Sequence, residues 1–221
     1  VVVGLVTVCL AVVPFVARFV WTYLLRPASS FAKFKGHWAV VTGASTGIGA
    51  GFARELARRG LNVVLLARSE DKLRALAQEL ESKFAVETMA VPFDFSLAGP
   101  TEYAKLATLF SGKTVSVLVN NVGVNVDFPH SYLDTAEEDK ERMIQVNIGA
   151  TMAMTKMFAG GMSERKLGCI YFLSSAGGTW LPSSMLSVYG GTKAFMDTFA
   201  VALAGELKTR GVAVHSVVPF H

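Results

Sequence analysis

Val40-Val-Thr-Gly-Ala-Ser-Thr-Gly-Ile-Gly49 decides the fold of this chain, because it joins a strand, a glycine-rich turn and the start of a helix. The apolar run that begins at Trp38 predicts the strand, and residues 50–59 have helical spacing. Free N–H groups and the helix dipole favour an anion at such a helix start, so we expect a phosphate to bind there. A glycine turn without a ligand is an equally good interpretation of this stretch taken alone.

The composition predicts one globular domain. The 221 residues, 52% of them hydrophobic, suffice for one full-sized core, and no repeat or low-complexity block indicates a second domain. The net charge of +4 does not come from a basic stripe, because Lys and Arg are interspersed with acidic residues, as in Arg68-Ser-Glu-Asp-Lys-Leu-Arg74. We therefore expect solvated helix faces and no binding of nucleic acid.

Cysteine and histidine usage argues against disulfides and metals. The two cysteines, Cys9 and Cys169, form neither a CxxC pair nor a disulfide framework, which fits a reducing compartment such as the cytosol. The four histidines have no metal-ligand spacing with one another or with the cysteines. We predict no metal site.

The first part of the chain is apolar enough to cross a membrane. Residues 1–17 carry no charge, and after Arg18 the apolar character continues to Leu25. A helix of about 25 residues is about 37 Å long, against about 30 Å for a bilayer core. A membrane anchor, a cleaved signal peptide and a buried helix compete as interpretations. We favour the anchor, because no A-x-A-like cleavage site follows and Trp21 and Tyr23 lie where an interfacial belt would.

The orientation of such an anchor follows from its flanking charges. Arg18, Arg26 and the next two lysines all lie on the C-terminal side of the apolar core, so the positive-inside rule predicts that the globular domain faces the cytosol. Pro14 and Arg18 keep a tilted or re-entrant hairpin open as an alternative to a straight span. Because the chain begins without methionine, we expect residues to precede it.

From about Lys35 onward, strand-like and helix-like patterns alternate. Strands are predicted at 38–41, 61–67, 86–92, 115–120, 168–173 and 212–218, and helices at 50–59, 70–83, 99–110, 135–162 and 187–210. This alternation predicts an α/β fold with a doubly wound parallel sheet, whose ligands bind at the carboxyl ends of the strands. The domains are then a membrane anchor over 1–26, a linker over 27–35 and a catalytic domain over 36–221. The chain stops directly after a strand, so we expect a C-terminal truncation.

Tyr189 and Lys193 are the first candidates for chemistry. Four residues apart near a helix start, they lie on one face, and a fixed cation beside a phenol favours its ionised form, so the phenol can act as a general acid or base. A tyrosine and a lysine at this spacing are more often two solvent-exposed side chains without a catalytic role. Polar residues at two strand ends, Ser174-Ser175 and Asn120-Asn-Val-Gly123, favour the functional interpretation, because strand ends line the ligand crevice in this fold.

Five motifs together resemble the short-chain dehydrogenase/reductase family. They are Thr42-Gly-Ala-Ser-Thr-Gly-Ile-Gly49, Asn120-Asn-Val-Gly123, Asn147, Ser175 and Tyr189-x-x-x-Lys193, and their order and spacing match the family pattern from about Lys35 to the end of the chain. The resemblance implies a Rossmann-type fold and an oxidoreductase. Tyr189-Gly-Gly departs from the family, where Ser-Ala-type residues are more usual after the tyrosine.

The resemblance also implies a role for each catalytic position. Tyr189 would be the catalytic acid, Ser175 would polarise the substrate carbonyl, and Lys193 would hold the nicotinamide ribose and lower the pKa of Tyr189. Asn147 would anchor a water that passes protons onward from Lys193; a capped or solvent-facing Asn is the alternative. Ser174 is the alternative to Ser175, which we prefer because it lies fourteen residues before Tyr189, close to the family separation of about thirteen.

The end of the second predicted strand indicates the cofactor. Ala67 occupies the place of the Asp found in NAD-dependent members, and Arg68 can pair with the 2′-phosphate of NADP, so NADP(H) is favoured. Asp94 matches an adenine-contacting acid, with a turn cap as its alternative, and Asn121 would lie beside the adenosine ribose. The cofactor-binding residues that the resemblance implies are Gly43, Ser45, Thr46, Gly47, Ile48, Gly49, Arg68, Asp94, Asn121, Tyr189 and Lys193.

Within the family, three features resemble the membrane-bound very-long-chain 3-oxoacyl-CoA reductases and the related microsomal 17β-hydroxysteroid dehydrogenases. They are the N-terminal apolar segment, Val122 where Ala is usual, and Gly205-Glu-Leu207. This resemblance implies a protein of the endoplasmic reticulum membrane that reduces a long-chain 3-oxoacyl-CoA with NADPH during fatty-acid elongation, its active site facing the cytosol.

Alternatives remain open for substrate and assembly. A ketosteroid, retinaldehyde or a 3-ketosphingoid base would suit the same chemistry, and a non-catalytic nucleotide-binding scaffold would retain the fold. The family commonly pairs its two long helices into a four-helix bundle, which implies a homodimer through 135–162 and 187–210. The apolar content of these helices serves the core equally well.

Overall fold

The computed structural model describes residues 31–179 and 183–220, together with residues 12–14, 16–17 and 20. The chain divides into two compact units, Val1–Lys33 and Phe34–His221. The described residues before position 21 are helical, and most of the predicted anchor over 1–26 lies outside the described residues. In the part of the chain that the structure describes, no helix is both long and apolar enough to cross a bilayer.

The second unit is built on six parallel strands. They are β1 (Trp38–Thr42), β2 (Asn62–Ala67), β3 (Thr88–Pro92), β4 (Val115–Asn120), β5 (Gly168–Leu173) and β6 (Val212–Val217). Their order in the sheet is β3-β2-β1-β4-β5-β6, with every neighbouring pair parallel. The order reverses beside β1, which confirms the predicted doubly wound sheet and places a ligand crevice at the carboxyl ends of β1 and β4.

Helices connect the strands. They are α1 (Gly47–Arg58), α2 (Glu70–Phe84), α3 (Pro100–Thr108), α4 (Glu137–Met143), α5 (Ala150–Glu164), α6 (Ala176–Thr179) and α7 (Ser187–Leu207), with a π-helical turn at Ile144–Gly149 and short 3-10 turns at Phe31–Phe34 and Lys208–Arg210. The four inner strands, β1, β2, β4 and β5, are buried on both faces, whereas the edge strands β3 and β6 are partly exposed. The main core packs Val40, Leu118 and Phe172 of the strands against Met154 of α5 and Met196 of α7.

The long helix predicted over 135–162 is found as one unbroken helical stretch over 137–164, but it contains a π-helical turn that was not predicted. The structure has α4, then the π-helical turn, then α5, and Asn147 lies in the middle of that turn. A π turn changes the direction of the side chains that follow it and is frequent at functional sites. The boundaries of all six strands lie within two residues of the predicted ones. The largest difference is at the edge strand β3, which begins at Thr88, two residues later than predicted.

Candidate active site

The glycine turn between β1 and α1 has the geometry that its sequence predicts. Gly43 and Gly47 have positive φ angles of 64° and 57°, a conformation that favours glycine. Gly49 has another role, because a Cβ atom there would lie 2.3 Å from Gly43 O. The absence of a side chain at Gly49 therefore allows α1 to approach the end of β1, while Gly47 borders open space.

Thr42 and Asn121 fasten this turn to the end of β4. Thr42 Oγ1 accepts hydrogen bonds from the backbone N–H groups of Asn121 (2.9 Å) and Val122 (3.0 Å). In return, Asn121 Nδ2 donates to Thr42 O at 2.9 Å and to Gly43 O at 3.1 Å. The amide nitrogen of Asn121 thus holds the turn, and the predicted contact of Asn121 with the adenosine ribose stays a prediction. Thr42 begins the glycine-rich motif, but the sequence did not indicate that its hydroxyl would bond to a residue 79 positions away.

A first cleft of about 520 Å³ opens beside the turn. Of the residues predicted to bind a cofactor, it is lined by Gly43, Ser45, Thr46, Ile48, Arg68, Asp94 and Asn121. Gly47 and Gly49 shape the turn without lining the cleft. Lys72, in the first turn of α2, lines the same cleft as Arg68 and was not predicted.

Asp94 makes the turn-capping contacts that were the alternative prediction for it, and its contact with an adenine stays a prediction. Its Oδ1 accepts hydrogen bonds from Ser96 N at 2.9 Å and from Ser96 Oγ at 2.6 Å, which is the turn-capping arrangement. The Ser96 hydroxyl is the main reason that the pKa of Asp94 lies below its usual value, with a smaller contribution from Arg68. Because Asp94 also lines the cleft, its capping contacts leave it available to a ligand.

A second cleft of about 450 Å³ holds three of the four predicted catalytic side chains. Ser175, Tyr189 and Lys193 line it together with Leu173 at the end of β5. The two clefts share Ile48, Asn121, Gly123 and Val124. A molecule in the first cleft can therefore extend from the glycine turn to the tyrosine.

Lys193 is 5% exposed, and burial lowers its pKa to about 8. Its Nζ donates to Leu173 O at 2.8 Å and lies 5.7 Å from the centroid of the Tyr189 ring. Burial raises the pKa of Tyr189, and a side-chain hydrogen bond with Ser175 opposes that effect. The ammonium group of Lys193 is directed to the carbonyl group of Leu173 at the end of β5, and the lowering of the pKa of Tyr189 by Lys193 stays a prediction.

The structure separates the two serines at the end of β5. Ser174 Oγ is buried and donates to Lys193 O at 2.8 Å, so this hydroxyl ties β5 to α7. Ser175 Oγ accepts a hydrogen bond from the backbone N–H of Gly177 at 3.3 Å. The Ser175 side chain also forms a hydrogen bond with the Tyr189 side chain in the second cleft. The geometry therefore favours Ser175 as the serine that meets a substrate.

Asn147 lies behind the clefts and lines neither of them. Its Oδ1 accepts from Val124 N at 2.8 Å, and its Nδ2 donates to Val124 O at 3.0 Å and to Thr192 Oγ1 at 2.9 Å. Thr192 is a second residue that the sequence analysis missed. The available signal was a threonine directly before Lys193, on the helix that carries Tyr189.

Comparison with known proteins agrees with this arrangement. A family model described as short chain dehydrogenase matches residues 37–220. The very-long-chain 3-oxoacyl-CoA reductase of Rattus norvegicus is 43% identical over 187 residues, which are 84% of this chain and 59% of the relative. That of Meyerozyma guilliermondii is 43% identical over 204 residues, 88% of this chain and 60% of the relative. The chain thus spans less than two thirds of these relatives.

Solved structures give the same result. A metagenomic short-chain oxidoreductase in complex with NADP superposes with a TM-score of 0.78 and 33% identity, over 85% of this chain and 83% of that one. The family predicted from the five sequence motifs is therefore confirmed. This chain belongs to the short chain dehydrogenase family.

Proposed function

We propose that this chain is the core of an NADPH-dependent ketoreductase that converts a long-chain 3-oxoacyl-CoA to the 3-hydroxyacyl-CoA. The observation that carries the proposal is the second cleft, in which Ser175, Tyr189 and Lys193 meet, joined to a first cleft built on a glycine turn. The relatives named very-long-chain 3-oxoacyl-CoA reductase support the choice of substrate.

The first cleft suits NADP(H). The turn directs the start of α1 at the cleft, where backbone N–H groups and the helix dipole favour a pyrophosphate. Arg68 and Lys72 supply positive charge beyond the end of β2, where Ala67 offers no carboxylate to repel a 2′-phosphate. When bound, NADPH supplies the hydride that reduces the carbonyl carbon.

The second cleft supplies the proton and the orientation. A phenol whose pKa is raised stays protonated at neutral pH, so Tyr189 is suited to give its proton to the carbonyl oxygen. Ser175 donates a hydrogen bond that polarises the same oxygen. Lys193, with a pKa of about 8, is mostly charged at pH 7; it holds the ribose and restores the proton of Tyr189. Asn147 anchors the water of this relay and fixes Val124, which lines both clefts.

The membrane is part of the proposal. We assign residues 1–26 to a membrane anchor, 27–35 to a linker and 36–221 to a domain on the cytosolic side of the endoplasmic reticulum. A tether keeps the enzyme beside acyl chains dissolved in the bilayer. We also propose a homodimer through the long helices, since Ile144, Met152 and Val201 expose apolar side chains on α7 and on the segment from the π turn into α5.

The test is NADPH oxidation by the full-length protein in detergent, with a long-chain 3-oxoacyl-CoA and a ketosteroid offered separately. We expect turnover of the acyl-CoA that is lost in Tyr189→Phe. A preference for the ketosteroid would replace the proposed substrate with the second class. Retinaldehyde and a 3-ketosphingoid base are then tested in the same way. Tight NADPH binding without turnover of any of the four compounds would favour a non-catalytic nucleotide-binding scaffold.

A further inference from the structure

Thr192 bridges two segments of the candidate site. The residue is 2% exposed and immediately precedes Lys193 in α7. Its Oγ1 donates to Tyr189 O at 2.7 Å and accepts from Asn147 Nδ2 at 2.9 Å, across 45 residues of sequence. One hydroxyl thus connects the π turn to the helical turn that carries Tyr189 and Lys193.

The bridge fixes the orientation of the Asn147 carboxamide. Because Thr192 gives its only hydroxyl hydrogen to Tyr189 O, its oxygen can only accept, and the Asn147 nitrogen must face it. Val124 requires the same orientation, since its N–H needs an acceptor and its carbonyl needs a donor. Both hydrogens of Asn147 Nδ2 are then used.

Gly123 shows where this orientation matters. A Cβ atom placed there would lie 3.3 Å from Lys193 Nζ and 3.4 Å from Asn147 Oδ1. The ammonium group and the amide oxygen therefore border the same glycine, at the junction of the two clefts. Any rotation of the amide would alter this junction.

We infer that Thr192 is a positioning residue, which holds the Asn147 amide and the first turns of α7 in register so that Tyr189 and Lys193 meet the cofactor and substrate together. The inference rests on the proposed reductase function for its catalytic consequence. Thr192 touches neither cleft and acts through its two partners. Valine at this position keeps the shape but removes the acceptor, leaving a buried N–H of Asn147 without a partner.

The chain offers a matched control. Thr155 is also a buried threonine, 4% exposed, and its Oγ1 accepts a hydrogen bond from an asparagine amide, Asn120 Nδ2, at 3.1 Å. Thr155 lies in α5 and lines neither cleft. Thr155→Val therefore also removes the acceptor of a buried asparagine amide, at a similar cost to folding, and neither Thr155 nor Asn120 lines a cleft.

The experiment compares Thr192→Val, Thr192→Ser and Thr155→Val in the full-length protein, measuring kcat and KM for the acyl-CoA, the Kd of NADPH and the unfolding midpoint. We expect Thr192→Val to lower kcat at least tenfold with the Kd of NADPH within about threefold, and Thr192→Ser and Thr155→Val to stay near wild type. Equal kcat in Thr192→Val and Thr155→Val, or no rescue by serine, would overturn the inference.

Hydrogen exchange separates this inference from the proposed function. If the wild-type protein does not reduce the acyl-CoA, the substrate proposal fails, and the inference is decided by exchange in peptides that contain Val124. Faster exchange at Val124 in Thr192→Val, but not in Thr192→Ser or Thr155→Val, supports the bridge. Unchanged exchange in all three variants overturns it.

Discussion

Asn147 holds the main chain of Val124 through both of its backbone groups, accepting from the N–H at 2.8 Å and donating to the carbonyl at 3.0 Å. The side-chain amide of Asn147 thus pairs with Val124 in the way that the backbone of a neighbouring β-strand would. Val124 lines both clefts, so Asn147 fixes the wall between them without entering either. The π turn places the amide at this point, within a continuous stretch of helix.

Replacing Asn147 with alanine should therefore harm both folding and turnover. The change removes the partners of Val124 N–H, Val124 O and Thr192 Oγ1, so we expect the free energy of unfolding to fall by about 2–3 kcal/mol and kcat to fall at least tenfold. Urea unfolding and NADPH oxidation measure the two effects. Gln145→Ala is the control on the same turn, since Gln145 donates to Ala98 O and lines neither cleft. Equal kcat in the two variants would refute the role of Asn147.

The sequence predicted the sheet well because buried parallel strands have a simple pattern. Strands such as β4 and β5 consist mostly of apolar residues and are buried over nearly their whole length, and their bounds agree with prediction. The order and spacing of the five motifs indicated the family. Polar residues at the carboxyl ends of β1, β4 and β5 line the clefts, because a doubly wound sheet brings these ends together.

The sequence could not predict which polar atoms find each other. The contacts of Thr42 with Asn121, of Asn147 with Thr192, and of Ser174 with Lys193 join residues 79, 45 and 19 positions apart. Such pairs depend on register and on the π turn, neither of which has a periodic signature. The direction of the Lys193 ammonium group could not be predicted for the same reason, because it depends on a hydrogen bond to Leu173 O, 20 residues away.

Tyr189→Phe should remove turnover and preserve cofactor binding. Loss of a general acid typically costs about 10²- to 10⁴-fold in rate, and we expect that range in kcat with the Kd of NADPH within about threefold. Tyr103→Phe is the control, because burial raises the pKa of Tyr103 to about 12 and, within the described residues, its buried hydroxyl has no hydrogen-bond partner. Removing that hydroxyl should leave kcat unchanged. A Tyr189→Phe enzyme with normal kcat would exclude Tyr189 as the acid.

Arg68→Ala should weaken NADPH binding selectively. A hydrogen bond to a charged group contributes about 1.5–3 kcal/mol, so we expect the Kd of NADPH to rise about 10- to 100-fold and that of NADH to change less than threefold. Lys72 lines the same cleft and limits the loss. Fluorescence titration of both cofactors measures the ratio, with Arg74→Ala as control, since Arg74 pairs with Glu70 on exposed α2 surface. A similar rise in both Kd values would contradict a 2′-phosphate contact.

Lys193→Met should stabilise the protein while abolishing turnover. Burial lowers the pKa of Lys193 from 10.5 to about 8. The unfolded state therefore binds more protons between these pH values. The free-energy cost of burying the charged Lys193 side chain is thus complete below pH 8 and absent above pH 10.5. Its size at pH 7 is about 3 kcal/mol, and loss of the bond to Leu173 O offsets about 1 kcal/mol of the gain.

We expect urea unfolding to show a net gain of about 2 kcal/mol for Lys193→Met at pH 7, shrinking as the pH is raised toward 10. Lys105→Met, at an exposed position of α3, should change the free energy of unfolding by less than about 0.5 kcal/mol at either pH. If Lys193→Met instead unfolds more easily than wild type at pH 7, the hydrogen bond to Leu173 O and the other contacts of the ammonium group outweigh the cost of its burial.

Two glycines of α1 should respond in opposite directions to alanine. A Cβ atom at Gly49 would lie 2.3 Å from Gly43 O and 2.6 Å from Asn121 Nδ2, and the backbone atom cannot yield without opening the turn. We expect Gly49→Ala to cost about 1–3 kcal/mol of unfolding free energy and to weaken NADPH binding. A Cβ atom at Gly51, two residues on, would have no atom within 4 Å, so Gly51→Ala should gain about 0.5–1 kcal/mol from helix propensity alone. Thermal or urea unfolding of both variants tests the pair, and a Gly49→Ala protein as stable as Gly51→Ala would mean that the turn is not packed against α1 as described.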